Sequence, residues 1–178
     1  MMRAAGRSGA WRLAACAGLV WFCGLAAPTA LAREAQPSFR GTVMKVTDGD
    51  SLRVRPADGG EPVTVRIVDI DAPEICQAWG PQARDALRDR LERRIVIVSE
   101  SRPDAYGRRL ARIATADEPD IGRWMVSQGH AWSWNPGRGA GPYGHHELMA
   151  RLQRRGLWAE GSAMEPRDFR RSHGPCHR

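Results

Sequence analysis

Acidic side chains concentrate in two short segments of this 178-residue chain, each beside apolar, β-branched residues. Asp48 and Asp50 lie in the stretch VTDGDS, whereas Asp71 and Glu74 end the stretch VRIVDIDAPE. Carboxylate oxygens are hard ligands that suit Ca²⁺ or Mg²⁺, and neighbouring carboxylates raise one another's pKa when no cation is present. From local spacing alone, two ordinary turns with solvated acids are the simpler interpretation, and a cation site formed by Asp50, Asp71 and Glu74 is the alternative.

Two arginines favour the cation site. Arg66 lies in the same apolar stretch as Asp71, and Arg108 follows the turn DAYG. A guanidinium group binds two phosphate oxygens at once, which an ammonium group does not do. Carboxylates and arginines together suit an anionic substrate with a divalent cation between them, because the cation offsets the repulsion between acid and phosphate. The alternative is that both arginines form ordinary surface pairs with neighbouring acids.

Strand geometry sets a condition on this site. Arg66 and Asp71 are five residues apart, so strict alternation would place their side chains on opposite faces of a strand. For both to face one site, the strand must bulge or end near Asp69.

The elements that would position these residues can be read from apolar periodicity and turn residues. Alternation and turn signals predict five strands, at residues 41–47, 51–55, 63–70, 95–98 and 109–115. This order of short strands, with a helix after the third, matches an oligonucleotide-binding-type barrel.

Three helices are predicted by spacing and capping residues, the first at residues 80–93 with Ala83, Leu87 and Leu91 on its apolar face. The second is capped by Asp120 and ends at Gly129. The third, at about residues 143–155, carries two leucines on one face, Leu148 and Leu152.

The first 32 residues have the pattern of a secretory signal peptide, with early arginines, an apolar run at 13–27 and a small-residue cleavage site at 30–32. We therefore expect a secreted or periplasmic protein, in which loss of three arginines lowers the formal charge from +7 to +4. No later segment is long enough to span a membrane, so we expect no stable membrane anchor.

Domain boundaries follow from this organisation. We expect a linker at 33–39, one barrel domain at 40–160 and a tail at 161–178, either flexible or tethered by a disulfide. Cys76 and Cys176 are the cysteines left after the signal peptide, and a bond between them would tie the tail to the segment just after Glu74. The alternative is two unpaired thiols. The arginines of the tail are expected to be solvated; these are Arg167, Arg170 and Arg171.

Five motifs occur in an order and at a spacing that resemble the staphylococcal nuclease, or thermonuclease, family. They are VTDGDS at 46–51, VRIVDIDAPE at 65–74, DAYGRRLARI at 104–113, VSQGHAW at 126–132 and GLW at 156–158. The resemblance covers about residues 40–158 and implies an α+β fold, a five-stranded Greek-key barrel with three α-helices. It also implies Ca²⁺-dependent hydrolysis of phosphodiester bonds in DNA and RNA, with Mg²⁺ as an open alternative.

The resemblance assigns the cation ligands. Asp50 and Asp71 match the calcium carboxylates, and Ala72 stands where the family offers a backbone carbonyl to the ion. We expect Asp48 to contact these ligands and hold them in position without binding the ion itself.

The resemblance also assigns the catalytic residues. Arg66 and Arg108 match the phosphate-binding arginines, and Glu74 matches the residue that activates or orients the attacking water. Tyr106 is expected to contact the terminal nucleotide or its phosphate. The segment between Glu74 and the first helix is shorter than in the staphylococcal enzyme, which leaves the substrate range open.

A non-catalytic nucleic-acid-binding barrel of the cell envelope is the alternative function. Such a barrel gains nothing from Asp50, Asp71 and Glu74, because these acids repel the phosphate backbone when no ion is bound. The sequence therefore favours an enzyme, an endonuclease acting on DNA or RNA, and we expect a monomer.

Overall fold

The computed structural model describes residues 38–137, 139–161, 163–174 and residue 176. The predicted signal peptide and most of the predicted linker lie outside these residues. The strands are β1 (Ser38–Asp48), β2 (Ser51–Pro56), β3 (Val63–Ile67), β4 (Ile70–Asp71), β5 (Ile95–Pro103), β6 (Arg109–Ala114) and β7 (Trp132–Ser133). The helices are α1 (Gly80–Leu91), α2 (Ile121–Ser127), α3 (Gly144–Leu152), a 3₁₀ turn (Gly156–Trp158) and α4 (Pro166–His173).

Five strands close into a barrel in the order β1-β2-β3-β6-β5, and β4 and β7 form a separate two-stranded sheet. All pairs in the barrel are antiparallel except β3 with β6. The long strand β1 allows closure, because its first part pairs with β5 and its second part with β2. Register irregularities near Val43 and Val46 bend β1 between these partners. The predicted α+β fold with a five-stranded barrel is confirmed.

The barrel interior and the inner face of α1 form the main apolar core. Ala83, Leu87 and Leu91 are fully buried in α1, as their spacing predicts. In α2, the side chain of Asp120 accepts a hydrogen bond from the backbone N–H of Arg123 and so caps the helix. In the described part of the chain, no helix has the length and apolar character needed to cross a bilayer.

Strand lengths differ from the prediction. β1 begins at Ser38, so the last two residues of the predicted linker at 33–39 belong to the barrel, where Ser38 and Phe39 pair with β5. β5 likewise runs to Pro103 instead of ending at residue 98. The start of β1 is extended by pairing with the distant strand β5, and the end of β5 by pairing with β6, and periodicity within one segment reveals neither.

The third helix packs through a different face from the one predicted. Leu148 and Leu152 are exposed, with 53% and 70% of their surface accessible, whereas Ala150 is 1% exposed. Ala150 packs in a small cluster with Trp132 and Trp158. A small side chain lets the helix approach these bulky rings closely, so its packed face is not its most apolar one.

The C-terminal segment contains a fourth helix, α4, one more than the three helices that were predicted. Pro166 begins the helix, a position where the fixed φ of proline suits the first turn. Cys176, beyond its end, is bonded to Cys76. This helix has eight residues, PRDFRRSH, and Phe169 and Pro166 are its apolar side chains, so an apolar stripe did not reveal it in the sequence.

Candidate active site

A break in the third predicted strand brings Arg66 and Asp71 together. β3 ends at Ile67, and Asp69 adopts a left-handed backbone conformation with φ 64° before β4 begins. Pairing of β4 with β7 then fixes Asp71 opposite Trp132. As a result, Arg66 Nη2 donates a hydrogen bond to Asp71 Oδ1 at 2.8 Å. The strand therefore ends near Asp69, as is required for Arg66 and Asp71 to face one site.

The turn between β1 and β2 brings Asp50 into contact with the guanidinium group of Arg66. Arg66 Nη1 donates to Asp50 Oδ1 at 2.8 Å, and the Ser51 hydroxyl donates to the same oxygen at 2.9 Å. The backbone N–H of Ala72 donates to Asp50 Oδ2 at 3.3 Å. The backbone N–H of Asp50 in turn donates to Asp48 Oδ1 at 3.2 Å. One arginine therefore links the two acidic motifs.

Close packing of the turn depends on Gly49. A Cβ atom at this position would lie 2.6 Å from the Cβ of Ala72 and 2.9 Å from the Cβ of Ala83 in α1. The absence of a side chain lets the turn that carries Asp50 rest directly on the residue after Asp71.

Burial makes the electrostatics of this cluster strong. Asp50 and Asp71 are each 3% exposed. Burial raises the pKa of Asp50 to about 6, although the charge of Arg66 opposes the rise. Burial by itself would lower the pKa of Arg66, but the charges of Asp50 and Asp71 outweigh that effect and raise it. The guanidinium group therefore stays charged and compensates two buried acids.

Glu74 follows β4 in a tight turn that leads to α1. Its backbone N–H donates to Gln77 Oε1 at 3.2 Å, and its carbonyl accepts from the backbone N–H of Gln77 at 2.8 Å. The carboxylate is partly exposed, at 27% of its side-chain surface, unlike the carboxylates of Asp50 and Asp71. A partly solvated carboxylate beside two buried ones is suited to contact water.

Gly80, the first residue of α1, approaches this turn closely enough to give a test of its geometry. A Cβ atom at residue 80 would lie 1.9 Å from the carbonyl oxygen of Glu74, so Gly80→Ala must displace the Glu74 backbone. We expect a loss of about 1–3 kcal/mol in the free energy of unfolding. Urea denaturation measures this loss, and Gly137→Ala is the control, because a Cβ there would make only an ordinary contact, 3.6 Å from Asn135 Oδ1, and the φ of Gly137 is not positive. An equal effect of the two substitutions would contradict the described turn.

Arg170 of α4 also lies at the acidic cluster. Its Nη1 donates to Glu74 Oε1 at 2.7 Å, and its Nη2 donates to Asp71 Oδ2 at 2.9 Å. Burial opposes the charge on Arg170, but the hydrogen bonds to Asp71 and Glu74 outweigh it and raise the pKa of the guanidinium group. The expectation that Arg170 is solvated is wrong: 37% of its side-chain surface is exposed, and the remainder packs at the cluster.

A disulfide and a hydrogen bond hold the segment of Arg170 against the turn of Glu74. Cys76 and Cys176 are bonded, with their Cα atoms 5.8 Å apart. Gln77 Nε2 donates to the carbonyl of Met164 at 2.6 Å. The sequence contained one indication of this contact, because a Cys76–Cys176 bond would bring the tail beside Glu74.

The structure places Arg108 in a different set of contacts from Arg66. Arg108 Nε donates to Asp104 Oδ2 at 2.7 Å, and its guanidinium group lies 5.5 Å from the ring centroid of Tyr106. Tyr106 is 85% exposed. Among the described contacts, none joins Arg108 or Tyr106 to the carboxylates of Asp50, Asp71 or Glu74. The assignment of both residues to substrate binding stays a prediction.

A cleft of about 640 Å³ opens beside Asp71. Its walls include Trp134, which is 42% exposed, and two arginines of α4, Arg167 and Arg171. An exposed indole and arginines are features that bind nucleotide chains, but four acids share the walls of this cleft, and one of them, Asp168, pairs with Arg171. The four are Asp71, Glu147, Glu165 and Asp168. Trp132, by contrast, is 5% exposed and packs edge-to-face on Trp158 at 5.0 Å, so it belongs to the core.

The donor set suits a hard divalent cation in its chemistry. Carboxylate oxygens are ligands that Ca²⁺ prefers, and the buried acids Asp50 and Asp71 lie in one cluster, with the backbone N–H of Ala72 on Asp50. Within the described residues, however, no group of three or more His, Cys, Asp or Glu side chains is arranged to hold a metal ion. The guanidinium group of Arg170 lies on the oxygens of Asp71 and Glu74.

Comparison with known proteins agrees with this geometry. Residues 64–160, which contain β3 to the 3₁₀ turn, match the family described as "Staphylococcal nuclease homologue". The chain belongs to the staphylococcal nuclease family. The residues matched by the family, 64–160, include the strand break at Asp69 and the turn of Glu74, and this match ends before α4.

Several relatives in this family are similar over most of their length. "Protein ParB" of Escherichia coli is 40% identical over 151 residues, which cover 79% of this chain and 84% of that protein. "Micrococcal nuclease" of Shigella flexneri is 38% identical over 145 residues, covering 75% of this chain and 82% of that protein. An "Uncharacterized endonuclease" of Escherichia coli O157:H7 is 32% identical over 126 residues, covering 71% and 81%.

Proposed function

We propose that this protein is a Ca²⁺-dependent nuclease that hydrolyses phosphodiester bonds of DNA or RNA, acting as an endonuclease. The single observation that carries the proposal is the bridge from Arg66 to Asp50 and Asp71, which unites two acidic motifs around one guanidinium group. Membership of a family whose relatives include a micrococcal nuclease supports it. The acids and arginines together fit an anionic substrate better than a neutral one.

The roles of the residues follow from their surroundings. Asp50, Asp71 and the carbonyl of Ala72 would hold the cation, which when bound neutralises phosphate charge and polarises the scissile bond. Arg66 orients the two buried carboxylates through one hydrogen bond to each, and would present its guanidinium group to phosphate. Glu74, partly exposed at the edge of the cluster, orients a water molecule or accepts its proton.

Arg108 would complete the substrate site by binding a phosphate oxygen. It already forms a cation–π contact with Tyr106 on the turn between β5 and β6, so the two side chains can act as one unit. Reaching the scissile phosphate requires release of Arg108 from Asp104. We propose this exchange of partners as part of substrate binding.

The proposed site of action is the periplasm or the extracellular medium. The Cys76–Cys176 disulfide supports this, because such bonds persist in oxidising compartments. The signal-peptide pattern of the first 32 residues supports the same location. A monomer without a membrane anchor is sufficient for the proposed reaction, since every residue assigned to it lies in one chain.

Removal of divalent cations tests the metal requirement. We expect excess EGTA to stop cleavage of plasmid and single-stranded DNA, and added Ca²⁺ to restore it, because Asp50 and Asp71 without a cation repel phosphate. Gel electrophoresis of the products measures this, and Mg²⁺ added alone shows whether the smaller ion substitutes. Undiminished cleavage in excess EDTA would contradict the cation site.

A non-catalytic nucleic-acid-binding barrel is the alternative function, and the exposed Trp134 and the arginines of the adjoining cleft would serve it equally well. The same experiment separates the two functions. Retarded but uncut DNA in the presence of Ca²⁺ would favour the binding protein.

A further inference from the structure

The C-terminal helix α4 lies outside the matched family region, residues 64–160, and nevertheless contacts the centre of the candidate site. Arg170 makes three hydrogen bonds there. Nη2 donates to Asp71 Oδ2 at 2.9 Å, and Nη1 donates to Glu74 Oε1 at 2.7 Å and to Asp71 Oδ1 at 3.3 Å. A residue that the family pattern does not include therefore lies on two of its acidic positions.

The two oxygens of Asp71 have different partners. Oδ1 accepts hydrogen bonds from both Arg66 and Arg170, whereas Oδ2 accepts from Arg170 and from no other donor among the described residues. Oδ2 is thus the Asp71 oxygen that Arg66 leaves open. Arg170 uses one of the two lone pairs of this oxygen, and a dication on the other would be repelled by the adjacent guanidinium charge, so the two cations compete for Asp71.

The charges of the cluster also indicate that Arg170 and a divalent cation compete for Asp71. Asp50, Asp71 and Glu74 carry three negative charges, and Arg66 offsets only part of them. Arg170 supplies a second positive charge when no dication is present. A dication and Arg170 therefore each neutralise the negative charge of Asp71 and Glu74, so binding of one weakens binding of the other.

Covalent attachment keeps Arg170 close to its partners. The Cys76–Cys176 bond joins the chain just beyond α4 to a residue two positions after Glu74. The hydrogen bond from Gln77 to Met164 holds the segment before α4 on the same turn. A group tethered in this way has a high effective concentration at its site, so it competes with a dissolved ion more strongly than a free guanidinium would.

We propose that Arg170 is a further residue of the nuclease site, which occupies Asp71 and Glu74 until a divalent cation displaces it and so sets the cation concentration that the enzyme requires. The proposal rests on the proposed function, in that it takes Asp71 as a cation ligand. With the helix docked, Glu74 is also bound to Arg170, so displacement frees this carboxylate for water. The cation requirement is therefore set by a helix outside the matched family region.

Equilibrium binding of Ca²⁺ alone, measured by isothermal titration calorimetry without substrate, tests the proposal. We expect Arg170→Ala to bind Ca²⁺ about ten- to a hundredfold more tightly, because the binding-competent state no longer requires breaking charge-assisted hydrogen bonds. Arg171→Ala is the matched control. Arg171 lies on the same helix, pairs with Asp168 and is 69% exposed, so its removal changes net charge equally without opening the acidic cluster.

The outcomes separate this inference from the proposed function. Binding by Arg170→Ala that is no tighter than binding by Arg171→Ala overturns the inference. Asp71→Asn is expected to weaken binding, and if it leaves binding unchanged the cation site itself fails. If Asp71→Asn weakens binding while the two arginine variants agree, only the role of Arg170 is lost.

Two further variants distinguish loss of Arg170 from loss of folding, and test the contribution of the Cys76–Cys176 bond. Arg170→Gln keeps a long polar side chain on α4 and is expected to tighten Ca²⁺ binding in the same direction as Arg170→Ala. Joint replacement of Cys76 and Cys176 by serine leaves Arg170 in place but frees the helix end, so its affinity should lie between wild type and Arg170→Ala. Wild-type affinity in this double variant would overturn the contribution of the tether.

Discussion

Glu74→Gln is expected to lower kcat by roughly a hundred- to ten-thousandfold while leaving the barrel folded, because the substitution removes the carboxylate that we propose as the group that orients the attacking water or accepts its proton. The side chain is partly exposed and lies at the edge of the acidic cluster, so an isosteric amide fits the same space. Its oxygen can still accept the hydrogen bond from Arg170, which preserves the contact with α4. Single-turnover cleavage of a labelled oligonucleotide at saturating Ca²⁺ measures the change.

The control for this substitution is Glu61→Gln, which removes the same charge from an exposed position between β2 and β3. It should cleave at the wild-type rate. Circular dichroism and urea denaturation of Glu74→Gln should match the wild type. A Glu74→Gln enzyme with near-wild-type turnover would remove Glu74 from the mechanism, and a loss shared with Glu61→Gln would point to a general charge effect.

Arg66→Ala is expected to damage both activity and stability. The substitution leaves Asp50 and Asp71, each 3% exposed, without the guanidinium group that bridges them. Breaking a buried ion pair in this way costs about 3 kcal/mol of unfolding free energy, with Arg170 still able to pair with Asp71. Loss of the phosphate-facing charge should lower kcat/KM by at least about a hundredfold.

Two matched variants show which property of Arg66 matters. Arg66→Lys keeps the positive charge but cannot donate to both carboxylates in a planar fork, so we expect partial recovery of stability and little recovery of activity. Arg53→Ala removes an exposed arginine from β2 and should behave as wild type. Urea denaturation and plasmid cleavage measure both effects. Wild-type stability in Arg66→Ala would show that the bridge is not formed in solution.

The fold could be predicted from the sequence because its elements are encoded locally. The spacing of Ala83, Leu87 and Leu91 defines the buried face of α1, and Asp120 caps α2 as expected. Alternating apolar residues locate the five barrel strands within a few residues, and their order indicates the barrel. Element ends were less predictable, since pairing with β5 lengthens the start of β1 and pairing with β6 lengthens the end of β5.

The site could be predicted in its residue types but only partly in its contacts. The motifs identified Asp50, Asp71, Glu74 and Arg66, which the structure brings to one cluster. Arg108 was assigned to the same site by resemblance, yet it pairs with Asp104, four residues away, in the described contacts. Local partners compete with distant ones, and motif spacing does not say which partner a side chain takes.

By itself, the sequence determined the barrel, the family resemblance and the acidic residues suited to a cation, because periodicity, turn chemistry and ligand type are properties of short segments. Only the tertiary structure decided that the chain breaks at Asp69 so that Arg66 meets Asp71. It also decided that Arg170 lies on those acids, about a hundred residues further along the chain. These contacts depend on the pairing of β4 with β7 and on the Cys76–Cys176 bond. Both join segments that are distant in the chain, so no local pattern specifies them.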